Sequence, residues 1–398
     1  MRQALVLLHR YLGLTLAAFL FVAGLTGAVL AFQQEVDATL NPDLHHATTR
    51  GRVLSLSALE NSVELQLPAA RVSAVQPAWH PGASAVLRVE PRATGARLGY
   101  DEVFADPVSG VVLGQRQWGA AKADRQHLVP FLYKLHYTLH LPAEWGIWLM
   151  GGVALLWTLD CLIALALSAP RGPRKLEGWR RALTVKPRAA SLRRTLDLHR
   201  APGLWLWIVL LAIAITGVGL NLRDQIFVPL VSSFSPVAPA FHQRPAPSRT
   251  GPDRLTFDEA ATSALDAASA DGRPGRVVYV LRAEPLHAIG VAIAQRAGDP
   301  RIGLGPDWYY FDTRDGDLRA AEPTNAGSAG DTIVRGRYPI HTGLIFGRAG
   351  QILICLTGLA TAALSVTGVL LWAGKQRARS LAGQRAMKQF ADASGGSS

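Results

Sequence analysis

Among the eleven histidines of this 398-residue chain, four fall into two matched pairs. Leu8-His9-Arg10-x-x-Gly13 recurs as Leu198-His199-Arg200-x-x-Gly203, and Leu135-His136-x-x-Leu139 recurs as Ile340-His341-x-x-Leu344. Every one of these motifs stands beside a long apolar run. A neutral imidazole presents one nitrogen lone pair and is a good axial ligand of haem iron, and two imidazoles from facing helices of a bundle can grip one porphyrin. Two pairs at the two ends of the same runs therefore predict two b-type haems, one ligated by His9 and His199 and one by His136 and His341. The two cysteines, Cys161 and Cys355, lie inside apolar runs, which excludes a disulfide framework and a cysteine-based zinc or iron–sulfur site.

A lone histidine at a membrane interface is more often an interfacial residue or a headgroup contact. Recurrence of the same histidine in both halves of the chain is what favours ligation. His140 stands one helical turn after His136 and has no counterpart; it can replace His136 as ligand, hold a haem propionate or face water, and His136 is preferred because it obeys the repeat. His127 is a weaker candidate, and His45, His46, His80, His242 and His287 lie in polar segments and read as surface residues. Asp160 is an acid inside an apolar run, which is costly unless it faces a bundle interior. It suits either a second-shell acceptor that orients a ligand imidazole, with a proton relay as a variant, or a helix-packing hydrogen bond to Thr158 or a neighbouring threonine.

The elements that position these residues are legible in the hydropathy. The chain is 49% hydrophobic and 18% charged, with a mean hydropathy above zero, too apolar for a soluble enzyme and too polar for a pure membrane bundle. Tyr11 to Phe32, Trp145 to Leu167, Ala201 to Leu222 and Ala349 to Gly374 are each long enough for a helix to cross a hydrocarbon core of roughly 30 Å. Four transmembrane helices are expected, the first retained rather than cleaved as a signal peptide. The 41 Lys and Arg against 29 Asp and Glu concentrate at the two ends and between the second and third runs, from Arg171 and Arg174 to Arg200. This is the positive-inside pattern of an inner-membrane protein with both termini cytoplasmic. It explains the +12 formal charge without nucleic acid as a partner.

Two polar segments remain on the opposite, periplasmic side. The first reads as a helix opened by a capping box, Ser57-Ala-Leu-Glu60, then strands at Val72–Val75 and Ala85–Glu90, and a strand–turn–strand from Val103 to Leu113 through Asp106 and Gly110. The second has Thr256-Phe-Asp-Glu259 opening an Ala-rich helix, strands near Val277–Leu281 and Ala288–Ala294, and a turn from Tyr310 through Asp312 to Gly316. They are two copies of one α+β module. Thr26-Gly27 and Thr216-Gly217 follow His9 and His199 at equal distance, so the whole chain is a tandem duplication of helix, outer domain, helix. Parallel repeats of this kind are related by a pseudo-two-fold along the membrane normal, which lets equivalent histidines face each other. The expected division is 1–32 (N-terminus and first span), 33–141 (outer domain), 142–169 (second span), 170–200 (basic loop), 201–222 (third span), 223–348 (outer domain), 349–374 (fourth span) and 375–398 (cytoplasmic tail). The last stretch, from Ala382 on, is expected to be disordered, without regular structure.

The pieces Leu8-His9-Arg10-Tyr-Leu-Gly13, Leu25-Thr26-Gly27, Phe104-Ala-Asp106-Pro-Val-Ser-Gly110, Arg337-Tyr-Pro-Ile-His341-Thr-Gly343 and Leu364-Ser-Val-Thr-Gly368-Val-Leu-Leu-Trp372 resemble the PepSY-associated transmembrane family of bacterial inner-membrane proteins. The resemblance implies two periplasmic PepSY-like domains and, by similarity to ferric-siderophore reductases of the family, two haems. The family's histidines carry onto His9, His136, His199 and His341; His140 departs from the pattern. The resemblance thus implies an oxidoreductase that takes electrons from an unidentified cytoplasmic or membrane donor and reduces a ferric siderophore in the periplasm, releasing Fe(II). Hard oxygen chelators hold ferrous iron far less tightly than ferric. The absence of any nucleophile elbow, Gly-rich nucleotide fingerprint or paired-carboxylate motif fits that reading, since the donor then has to be another protein, a quinol or a free reduced flavin.

Two other classes compete. PepSY modules are associated with peptidase inhibition and sensing, which would make the protein a membrane sensor or binding protein with structural histidines. A siderophore or iron transporter ranks lower, because four helices and one intramembrane carboxylate make a poor pathway.

Overall fold

The computed structural model describes residues 2–122, 124–170, 174–244, 251–295 and 298–395. Arg171 of the basic loop and residues 396–398 of the tail lie outside them. In chain order the helices are α1 (Arg2–Leu30), α2 (Gln33–Leu40), α3 (Pro42–His45), α4 (Leu56–Gln66), α5 (Arg125–Thr138), α6 (Ala143–Ser168), α7 (Lys175–Ala182), α8 (Ser191–Trp205), α9 (Trp207–Asn221), α10 (Val228–Ser232), α11 (Phe257–Ala270), α12 (Ala329–Thr342) and α13 (Gly347–Gly395). The strands are β1 (Ala70–Gln76), β2 (Ala85–Pro91), β3 (Glu102–Ala105), β4 (Val112–Arg116), β5 (Arg276–Ala283), β6 (Ala288–Ala294), β7 (Asp307–Asp312) and β8 (Leu318–Glu322). They form two compact units: a helical one of residues 1–31, 135–222 and 352–398, and a sheet unit of 32–134 and 223–351.

In the helical unit, α1, α6 and the stretch Leu344–Gln384 are each long and apolar enough to cross a membrane. The third expected span departs from a straight helix. It is the pair α8 and α9, bent by 70° at Leu206. Pro202, in the last turn of α8, has no N–H to give the ladder and crowds the turn before it, which weakens the helix at this point. The first repeat has Leu12 at the equivalent position, and α1 runs unbroken. Glycines set the closest approach in the unit: a Cβ on Gly24 would stand 2.6 Å from the carbonyl oxygen of Gly358, and one on Gly358 would stand 2.6 Å from that of Gly24. Those two backbones touch, as small residues permit in helix packing within a bilayer. The expected irregular tail is instead helical to Gly395, in keeping with its Ala, Gln, Lys and Arg content.

In the sheet unit the strands of the two expected α+β modules come together. All eight strands belong to one antiparallel sheet in the order β4-β3-β2-β1-β5-β6-β7-β8, joined at the centre by Ala74 opposite Leu281 and Val75 opposite Val280. The order reads the same from either edge, repeat by repeat. Both copies carry a register shift in the outer ladder, at Phe104/Ala105 and at Tyr310/Phe311. Both turn on an aspartate carbonyl that accepts the N–H of a left-handed glycine, Gly110 (φ 73°) and Gly316 (φ 78°). Sharing the sheet removes two edges that separate modules would expose. Leu59 and Val63 of α4 and Phe257, Ala260 and Ala264 of α11 pack on one face in a single core with Val72, Leu87, Val103, Ile289, Val291 and Tyr309.

The helix starts differ from expectation in one case. Thr256 and Glu259 form the expected capping box of α11. For α4 the cap is Ser55, not Ser57, and Asp258 of the other repeat accepts from the N–H groups of Leu56 (2.8 Å) and Ser57 (3.3 Å) and from the Ser55 hydroxyl (2.7 Å). Glu60 is drawn away to Arg282 on β5, at 2.7 Å.

Candidate functional site

The helical unit brings together three of the residues singled out in the sequence. The rings of His9, on α1, and His199, on α8, face each other with centroids 6.2 Å apart and planes tilted by 56°. Both line a cavity of about 520 Å³ between α1, α6, α8, α9 and α13. Asp160 on α6 closes the first ring: its carboxylate accepts from His9 Nδ1 at 2.8 Å. Asp160 thus meets a histidine and not Thr158, which spends its hydroxyl on the carbonyl of Ala154 within α6, at 2.8 Å.

Hydrogen bonding fixes the tautomers. A carbonyl can only accept, so the 3.1 Å contact between His199 Nδ1 and the Leu364 oxygen requires Nδ1 to carry the proton. Thr367 adds a second acceptor at 3.0 Å, its own hydroxyl proton being directed to the Ala363 carbonyl at 2.8 Å. On His136 the same logic holds: Thr26 Oγ1 lies 3.0 Å from Nδ1 and donates to Val22 at 2.7 Å, which leaves its lone pair for the imidazole. In all three rings Nδ1–H is committed to an acceptor, and in His9 and His199 Nε2 keeps the lone pair that a metal needs.

Room for the rings comes from glycine. A Cβ on Gly27 would stand 3.0 Å from His136 Cε1, and one on Gly368 would stand 3.3 Å from His199 Cε1. A Thr-Gly dipeptide thus cradles each of these two histidines, the threonine holding Nδ1 and the glycine making space. From the sequence alone Gly27 and Gly368 are among the small residues that either allow close helix packing or leave room for flat macrocycles. Thr-Gly also occurs at 94, 216, 250, 342 and 357, so the dipeptide alone does not single out Thr26 and Thr367.

The donor set fits a haem in this cavity. Ring centroids 6.2 Å apart leave room for one metal between the two imidazoles. The volume lies in the range of cofactor pockets, roughly 300–1,000 Å³. Among the described residues no three His, Cys, Asp or Glu side chains gather as a metal cage; two imidazoles are what an axial pair requires. Arg2, Arg10, Arg200 and Lys375 also line the cavity. Arg200 gives one nitrogen to Asp197 at 3.2 Å and to the Arg181 carbonyl at 2.8 Å, yet its buried Nε has no partner, an orphaned donor suited to an anionic ligand group.

The remaining candidates lie elsewhere. His136 is in the last turn of α5 and His341 in the last turn of α12, two 14-residue helices with an internal proline, Pro130 and Pro339. His136 belongs to the helical unit and His341 to the sheet unit. His140 does not continue the His136 face. Helix α5 ends at Thr138, and Leu139 and His140 take left-handed conformations (φ 54° and 57°) to reverse the chain into α6. His127 pairs with Asp124 at 2.7 Å. His45 is not a bare surface residue: Nε2 lies 3.0 Å from the buried Asp37, whose carboxylate Arg116 also grips at 2.8 and 2.9 Å. Burial works against ionisation of Asp37, and the hydrogen bonds and charges of His45 and Arg116 overcome it, holding the carboxyl at about 2.

No curated protein matches this sequence. The model of one family, described as the PepSY-associated TM region, matches residues 6–375. A family match over nearly the whole chain, with helices long and apolar enough to cross a membrane beside an antiparallel sheet, leads to one assignment: the chain belongs to the PepSY-associated transmembrane family and is a membrane protein.

Proposed function

We propose that this protein is a di-haem reductase of the bacterial inner membrane that passes electrons from the cytoplasmic side to a ferric siderophore in the periplasm. The observation that carries the reading is the facing pair His9 and His199, each with Nδ1–H committed and Nε2 free, across a cavity of haem size. His9 and His199 would hold one b-type haem, and His136, with Nδ1 on Thr26, would be a ligand of the other; bound there, the haems supply one-electron redox chemistry that no side chain of the chain offers. Arg10 and Arg200 would hold the carboxylates of the first. Thr26, Thr367 and Asp160 hold Nδ1 and so orient the imidazoles. The apolar walls of the spans exclude water from the path. The reaction is balanced as one electron withdrawn from a cytoplasmic or membrane donor and one delivered to Fe(III) in the chelate, which becomes Fe(II) and is released. The basic ends and the loop up to Arg200 support cytoplasmic termini, and the sheet unit then faces the periplasm.

Stopped-flow mixing of the dithionite-reduced, detergent-purified protein with a ferric hydroxamate siderophore tests this. Reoxidation of the reduced visible bands with stoichiometric appearance of a ferrozine–Fe(II) complex is expected. Bands that stay reduced on mixing would remove the reductase activity from the account, and protein without haem would leave a PepSY-type sensor or binding protein.

A further inference from the structure

Of the three imidazoles whose Nδ1 partners are resolved, two rest on a Thr-Gly dipeptide and one does not. His136 uses Thr26 and Gly27, and His199 uses Thr367 and Gly368. His9 uses Asp160, followed by Cys161. The acceptor distance is nearly the same, 2.8 Å against 3.0 Å. Threonine therefore suffices to orient an imidazole in this scaffold, and what the aspartate adds is charge. A carboxylate within an apolar span is costly, and Asp160 is only 13% exposed, with His9 Nδ1 as its hydrogen-bond partner. The expense points to a role that positioning alone does not explain.

A carboxylate acceptor polarises the Nδ1–H bond more than a hydroxyl and makes Nε2 the stronger donor. A stronger axial donor favours ferric over ferrous iron, and hydrogen bonding behind the ligand is one of the means by which a protein sets a haem potential. We infer that Asp160 is a positioning residue that lowers the potential of the His9/His199 centre below what a threonine acceptor at the same place would set. The inference rests on the di-haem reading above.

A redox titration of the purified full chain, followed by its visible spectrum, tests the inference in wild type, Asp160→Asn, Asp160→Thr and Thr367→Asp. Asn keeps an acceptor without charge, and Thr reproduces the cradle of the other sites. Both variants are expected to raise one of two midpoints, that of the haem missing in His9→Ala, and to leave the other in place. Thr367→Asp adds a carboxylate behind His199 and is expected to lower the same midpoint, so the inference remains exposed even if the Asp160 variants lose haem. Two haems whose midpoints are unmoved by Asp160→Asn, or a Thr367→Asp midpoint that fails to fall, overturn the role of Asp160 alone. A wild-type protein that binds no haem overturns the di-haem reading together with it.

Discussion

At the scale of single residues, the chemistry depends on acceptors behind imidazoles and on the absence of a methyl group beneath them. Gly27→Val and Gly368→Val each drive carbon into a ring whose Cε1 is already 3.0 or 3.3 Å from a Cβ position. Overpacking of this kind costs about 1–3 kcal/mol. Each variant is predicted to lose one haem of two, a different one in each case, as read by the pyridine haemochrome. The Arg116 knot behaves otherwise. Arg116 is 5% exposed and bridges Asp37 and Glu102, so Arg116→Ala leaves two buried carboxylates with one ion-pair partner each, His45 and Arg88, and is predicted to cost the sheet unit about 3 kcal/mol in denaturant unfolding. The pH dependence has a definite sign. Asp37 titrates lower folded than unfolded, so its stabilisation is complete above about pH 4 and fades as pH falls from there towards about 2. Asp37→Asn is predicted to flatten the acid limb of the stability profile in that window; an unchanged limb would assign acid unfolding to other groups. His9, His199 and Asp160 were legible because type and spacing repeat or because a charge interrupts an apolar run. Thr26 and Thr367 were not, because a threonine in a spanning helix is usually satisfied by its own backbone, as these two also are.

At the scale of elements, strands and helices followed from alternation and capping wherever the partners were local. The Thr256–Glu259 box needs only four consecutive residues, and it forms. The Ser57–Glu60 box did not form because its rivals are distant in sequence: Asp258 satisfies the amides of α4, and Arg282 takes Glu60. A long-range competitor of that kind leaves no trace in a local window. Asp258→Ala should therefore loosen α4 although it lies in α11. Hydrogen exchange at Leu56 and Ser57 is predicted to accelerate about fivefold, corresponding to a lost cap of about 1 kcal/mol. Protection unchanged at both amides would mean that Ser55 alone caps the helix. The bend between α8 and α9 is a similar case. Pro202 was visible, but hydropathy reports composition along a run and is blind to whether the run is straight.

At the scale of the whole molecule, duplication was readable and its consequence was not. Matching motifs announced two copies, while the fusion of their sheets through Ala74/Leu281 and Val75/Val280 rests on two residue pairs in strands that look like any others. Duplication is also what makes a facing histidine pair possible, since residues far apart in sequence become neighbours across a pseudo-two-fold. The central claim is that His9 and His199 serve one metal centre together. The most direct measurement is the reduced-minus-oxidised spectrum with haem-to-protein ratio of wild type, His9→Ala and His199→Ala purified in detergent. The account predicts two low-spin b-type haems per chain in the wild type, and one in each variant, with the same spectral component missing from both. Full haem content in either variant, or different components missing from the two, would contradict it.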